Sequence, residues 1–205
     1  VYAYSSLFTA LVFWLILKWE EAADRPHADR WIVLIAYLMG LSIGVHLLNL
    51  LCIPAIVLVY YYKKFPNPTM KGTLIALLVS FAIVGLMMYG VVQGLVEVCG
   101  YFELLFVNTF GMPYNSGVYA FVIILAASLI WAIWETMQDE IHPVRMKISF
   151  ILSIVLLGIP FIGSGYVIAV ILTAALTAYL FMSKKVNIKM LNTILVCLMV
   201  IVVGY

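Results

Sequence analysis

The sequence predicts an all-α protein, a polytopic transmembrane helix bundle of about eight spans, in which two pairs of spans come from broken helices. Three observations predict it. Of 205 residues, 66% are hydrophobic and only 10% are charged, whereas a soluble domain is roughly half apolar and about a quarter charged. The apolar residues form uninterrupted stretches of span length or longer. The basic residues gather in short clusters between those stretches. A soluble fold of this size could not hide so much apolar surface, because its core is limited by its volume. The whole chain, 1–205, is read as a single transmembrane domain.

Val1 to Leu17 is the first span, followed by the polar run Glu20 to Arg30. Trp31 to Tyr62 is apolar for 32 residues. As one straight helix it would run about 48 Å, well over a hydrocarbon core of about 30 Å. Gly44, His46, Asn49 and Pro54 lie near its middle, so a reversal between two short helices is expected there. Lys63 to Lys71 is a polar turn with Pro66 and Pro68, and Gly72 to Val92 is a full span. Gln93 to Gly117 is aromatic, apolar and sparsely acidic. It is expected to be a helix lying in the interface, then a Gly/Pro loop. Val118 to Trp134 spans again, and Glu135 to Lys147 is polar. Ile148 to Phe181 is too long for one span and is expected to break at Gly158 to Gly165. Ser183 to Lys189 is polar, and the rest begins a last span.

Charge supports both breaks independently. With them, Lys18, Arg25 and Arg30, then Lys63, Lys64 and Lys71, then Arg145 and Lys147, then Lys184, Lys185 and Lys189 all fall on one side. Lys and Arg concentrate in short cytoplasmic loops. These loops are therefore expected in the cytoplasm, with the start of the chain and Gln93 to Gly117 external.

The chain opens and closes inside apolar segments and has no basic stretch before an apolar run. It reads as an internal fragment of a longer protein, without a signal peptide. Cys52, Cys99 and Cys197 show no metal-ligand spacing and read as unpaired structural residues. The net charge of +2 comes with no basic patch interleaved with aromatics, which excludes nucleic acid as the expected partner.

His46 is the only ionisable residue deep in an apolar stretch. Such a group is a functional candidate by default, as a donor to an anionic head group or a proton carrier. The plainer alternative is a histidine that, beside Asn49, satisfies carbonyls freed by the broken helix. Glu97 and Glu103 are the only acids on the external face. As a pair they could hold a divalent cation or act as base, although six residues is a poor helical spacing for one site. Otherwise they are solvated carboxylates, and no cofactor or metal is assigned. Gln93, Tyr101, Asn108, Tyr114 and Asn115 suit sugar or head-group contact, but tyrosine belts are ordinary at interfaces. Glu97, Tyr101 and Asn108 share one helical face. With His46, the segment Gln93 to Asn115 is expected to line an external cavity. Gly40-Leu-Ser-Ile-Gly44 is a small-residue pattern that reads as a helix-packing face. Glu20, Glu21, Asp24 and Asp29, and the set Glu135, Asp139 and Glu140, read as solvated loop charges. Walker loops, nucleophile elbows, zincin motifs and dinucleotide fingerprints do not occur.

Val1-Tyr-Ala-Tyr-Ser-Ser-Leu-Phe-Thr-Ala10, Ile16-Leu-Lys-Trp-Glu20, Ala28-Asp-Arg-Trp31 and above all Ala36 to Leu51 (AYLMGLSIGVHLLNLL) are similar to one bacterial family. Its members are large multipass membrane proteins, formerly a domain of unknown function. They are grouped with GT-C glycosyltransferases alongside protein O-mannosyltransferases. The resemblance extends over Val1 to about Gly117. It implies a GT-C-like bundle in the bacterial inner membrane with its active site on the external face. It also implies a polyprenyl-phosphate sugar as donor and a protein or glycan as acceptor. The catalytic acid of such enzymes lies in the first external loop, which would fall upstream of Val1. The alternatives are a transporter, which also uses broken helices, and a non-catalytic membrane scaffold. Against transport, no Asp, Glu, Lys or Arg lies within a predicted span.

Overall fold

A backbone group in hydrocarbon has no water to bond, so an apolar chain must satisfy its N–H and C=O groups internally. The computed structural model describes every residue except Val1, Ile141, Gly163, Ser164, Gly165, Lys184 and Lys185, and the described residues are helical almost throughout. In chain order the helices are α1 (Tyr2–Ala22), α2 (Asp29–Val45), α3 (Cys52–Lys64), α4 (Met70–Gly85), α5 (Leu95–Leu104), α6 (Ser116–Met137), α7 (Pro143–Leu156), α8 (Tyr166–Met182) and α9 (Ile188–Gly204). A 3-10 turn, Leu47–Leu51, precedes α3, and π turns at Leu86–Gly94 and Leu105–Thr109 flank α5. The predicted helical membrane bundle is the observed architecture. Two compact units form it: residues 1–84 with 196–205, and residues 85–195.

In the first unit α1 buries Val12, Leu15, Ile16 and Trp19 along one face. The expected break in Trp31 to Tyr62 falls at His46, whose backbone is extended (φ −164°, ψ 128°). The chain reverses there. The rings of Tyr2 and His46 lie 5.8 Å apart at the start of α1. At its other end Trp19 stacks on Tyr60 at 5.2 Å, and Lys64 Nζ donates to the Ala23 carbonyl at 2.7 Å. α3 therefore finishes where α1 finishes. Lys63 pairs with Asp24 at 3.4 Å, so the first two basic clusters share one end of this unit. Lys18 donates to Glu21 at 2.8 Å at the same end of α1.

Gly40 is the packing position its pattern predicts. A methyl there would sit 2.8 Å from the Ile201 Cα, and one on Gly204 would sit 2.7 Å from the Leu41 nitrogen. α2 and the end of α9 thus cross backbone against backbone, as small residues allow in membranes. Gly44 is looser, with only the Tyr205 carbonyl at 3.8 Å.

In the second unit the expected interfacial helix is not a separate element. Helical structure begun at Met70 continues to Thr109 without a gap. Gly85, Gly90 and Gly94 suggest a stop, but an apolar backbone gains by staying hydrogen-bonded, and the irregularity is absorbed as π turns. α5 packs along α6 as one arm of a hairpin, with Phe102 against Phe121 (5.4 Å between rings). The second expected break is present: α7 ends at Leu156, and Gly158 follows with φ +78°. The part of that turn at Gly163 to Gly165 lies outside the described residues, as do Lys184 and Lys185 of the last basic cluster. The Lys147 ammonium lies 5.3 Å from the Phe181 ring, and Asn192 Nδ2 donates to Thr136 Oγ1 at 2.8 Å. The end of α6, the starts of α7 and α9 and the end of α8 therefore meet.

Four described helical stretches are long and apolar enough to cross a membrane: Tyr2–Ala22, Leu47–Lys64, Met70–Thr109 and Ser116–Met137. Tyr166–Met182 and Ile188–Gly204 are apolar but shorter. α2 and α7, with 17 and 14 residues, are the short arms made by the two breaks. A full crossing takes about 20 residues, so by length alone four of the expected spans qualify.

One expectation is corrected outright. Glu135 is not a solvated loop charge: it belongs to the last turn of α6 and is 2% exposed. Its Oε1 accepts from Trp131 Nε1 and pairs with Arg145 Nη2, each at 2.8 Å. A buried carboxylate persists only with such partners.

Candidate functional site at the broken helix

The turn between α2 and α3 gathers polar atoms inside an apolar region. His46 Nδ1 accepts from the Leu48 N–H at 3.2 Å and so caps the 3-10 turn. An accepting Nδ1 puts the proton of the neutral ring on Nε2. That N–H has no partner among the described residues, and the side chain is half-buried. Asn49, three residues on, is 1% exposed. Its Oδ1 accepts from Ser5 Oγ at 3.4 Å and from Thr9 Oγ1 at 2.5 Å. Its Nδ2 is buried without a partner among the described residues. A buried polar group left unmatched is destabilising by about 1–3 kcal/mol, so an orphan amide calls for an acceptor.

Sequence reading found His46 and Asn49 but missed Ser5 and Thr9. The signal was present: two hydroxyls four residues apart lie on one face of a span. Their acceptor is 40 and more residues away in sequence, so periodicity alone could not pair them.

The other predicted site residues lie in the second unit and divide into engaged and open groups. Tyr101 donates its hydroxyl to Glu97, and its ring lies 5.4 Å from Tyr166 and 6.2 Å from Phe161. Glu103 caps α6: its carboxylate accepts from the backbone N–H of Asn115 (2.6 Å), Gly117 (3.0 Å) and Val118 (3.1 Å). An anionic acceptor at a helix N-terminus is favoured by the exposed N–H groups and the dipole. Glu97 and Glu103 are thus held by different partners. Among the described residues no three His, Cys, Asp or Glu side chains gather to hold a metal ion. Gln93, Asn108, Tyr114 and Asn115 are exposed, and Asn115 adopts φ +70° at the turn into α6.

The fold and this polar turn define an integral membrane protein with broken helices. The family described as Protein O-mannosyl-transferase TMEM260 N-terminal domain matches residues 1–69. That segment holds α1, α2, α3 and the whole Ser5–Thr9–His46–Asn49 cluster. The match links the chain to O-mannosyltransferase-like proteins. It stops at residue 69, short of the Gly117 to which the sequence resemblance extends. No curated protein and no solved structure matches the chain.

Proposed function

We propose that this chain is part of a GT-C-type membrane glycosyltransferase, one that moves a sugar from a polyprenyl-phosphate donor to a protein or glycan acceptor on the external face. The carrying observation is the orphan Asn49 amide, which lies within the residues that match an O-mannosyltransferase domain. Asn49 Nδ2 and His46 Nε2 are donors without acceptors among the described residues, and a phosphate offers oxygens to both. Ser5 and Thr9 occupy the carbonyl edge of the Asn49 amide, and its NH2 edge is the one turned away from them. The catalytic acid is proposed to lie outside this sequence, as the resemblance implies. Mannose is the sugar that the matched family's description supports.

The test is sugar transfer by the full-length protein in proteoliposomes, wild type against Asn49→Asp. The aspartate keeps an oxygen for Ser5 and Thr9 but loses the donors and repels a phosphate. Transfer should fall by roughly tenfold or more, as for loss of one charge-assisted hydrogen bond. Unchanged transfer in a folded variant would remove Asn49 from the site. Sugar counterflow without transfer would instead favour a transporter.

A further inference from the structure

The last turn of α6 and the first turn of α7 bracket a cleft of about 400 Å³ in the second unit. Glu135, 2% exposed, contributes to its lining with its carboxylate clamped by Trp131 and Arg145. Gln138, Asp139, Glu140, His142 and Arg145 line the rest with Trp134. α6 is long and apolar enough to cross a membrane, so its last turn lies near the bilayer surface. Trp134, 64% exposed, suits the same depth, where tryptophan is enriched.

The charges in this cleft are only partly matched. Arg145 Nη2 forms an ion pair with Glu135, and the guanidinium has no other partner among the described residues. Asp139 and Glu140 are exposed and carry no hydrogen bond or ion pair there. Three carboxylates share the cleft with one guanidinium and the His142 imidazole, so carboxylates outnumber the basic groups and a purely anionic ligand is disfavoured. A simple cation would leave the Arg145 donors unused. A ligand with a phosphate and a primary ammonium separated by a short link answers both signs at once. We propose that this cleft binds the phosphoethanolamine head group of a membrane lipid, with the phosphate on Arg145 and the ammonium on Asp139 and Glu140. Glu135 acts as a positioning residue that orients the guanidinium. The primary amine matters, because three N–H donors match carboxylates whereas a quaternary ammonium has none. A single tryptophan does not form the aromatic cage that a quaternary ammonium needs. This site does not depend on the sugar-transfer reading.

Native mass spectrometry of the purified full chain, with phosphatidylethanolamine, phosphatidylcholine and phosphatidylglycerol added in turn, tests it. The ethanolamine lipid should be retained roughly tenfold more than the choline lipid, as for one or two lost charge-assisted hydrogen bonds. Asp139→Asn with Glu140→Gln should abolish that preference. Both side chains are exposed and unpaired, so the double variant should fold, and its thermal midpoint checks this. Arg145→Gln should weaken retention of all three lipids. Free phosphoethanolamine that displaces the lipid supports the chemistry with the head group alone as ligand; failure to displace it, with the preference intact, supports the lipid as the source. Equal retention of choline and ethanolamine lipids in the wild type overturns the proposal. So does an oligoarginine peptide that binds through Asp139 and Glu140 while no lipid is preferred.

Discussion

Gly94 and Gly158 touch backbone to backbone: a methyl on Gly94 would sit 2.8 Å from the Gly158 carbonyl carbon, and one on Gly158 would overlap the Gly94 carbonyl. Gly90 repeats the contact one turn earlier, against Ile159. The glycines that look like a helix stop thus serve close approach within the second unit. Gly94→Ala should destabilise by about 1–3 kcal/mol through overpacking. Gly158→Ala should be worse, because its φ of +78° also strains an L-residue by about 1–2 kcal/mol. Gly100→Ala is the control, since nothing lies within 4 Å of its added methyl. Helix propensity should make it neutral or stabilising by about 1 kcal/mol. Thermal unfolding in one detergent ranks the three, and a Gly94→Ala protein as stable as Gly100→Ala would refute the close contact.

Glu103 offers a graded test of its role as a cap. Glu103→Ala removes the acceptor for three N–H groups at the start of α6 and should cost about 1–2 kcal/mol. Glu103→Gln keeps one oxygen and should fall between alanine and wild type. If Glu103 were instead a catalytic base, the glutamine variant would lose sugar transfer while keeping nearly all its stability. Measuring both properties on the same preparations separates the two roles.

The Glu135–Arg145 pair should behave as buried ion pairs do when halved. Arg145→Met leaves the Glu135 carboxylate with only the Trp131 donor. Because Arg145 is itself 61% exposed, water screens the pair, and a loss of about 1–2 kcal/mol is expected. Glu135→Gln together with Arg145→Met removes both charges while keeping an acceptor for Trp131 Nε1, and should recover most of that loss. A double variant less stable than Arg145→Met alone would mean that Glu135 is held by something other than this pair.

The breaks at His46 and Gly158 were legible because two independent signals met there, excess apolar length and the parity of the basic clusters. Gly40 was legible because small residues at helical spacing mark close crossings. The π turns were not: Gly85, Gly90 and Gly94 look alike as helix breakers, and only their neighbours decide. Gly85 has none within 4 Å, whereas Gly94 meets Gly158. Glu135 was illegible for a related reason. It sits beside Asp139 and Glu140 in an acidic run, and nothing local says that Arg145 and Trp131 close over one member only. At the polar turn, His46 and Asn49 stood out against their apolar neighbours, while Ser5 and Thr9 read as ordinary span residues until the fold brought them to the same amide.

Sidedness is the remaining step from sequence to mechanism, and it can be measured directly. The sequence expectation is that all eleven basic residues share one side. Within the first unit the first two basic clusters lie at one end, where Lys64 returns to Ala23. In a variant with Cys52, Cys99 and Cys197 replaced by alanine, Tyr114→Cys should react with a membrane-impermeant maleimide in right-side-out vesicles. Tyr114 is 84% exposed, so burial will not mask the result. Asn67→Cys, exposed in the turn between α3 and α4, should react only after the vesicles are opened. The reverse pattern would put the basic loops outside and move the polar turn at His46 to the cytoplasmic face, where an externally acting transferase could not use it. Labelling of both from outside would mean that the helical stretch Met70–Thr109 does not make a net crossing, and the charge parity argument would then fail at that element.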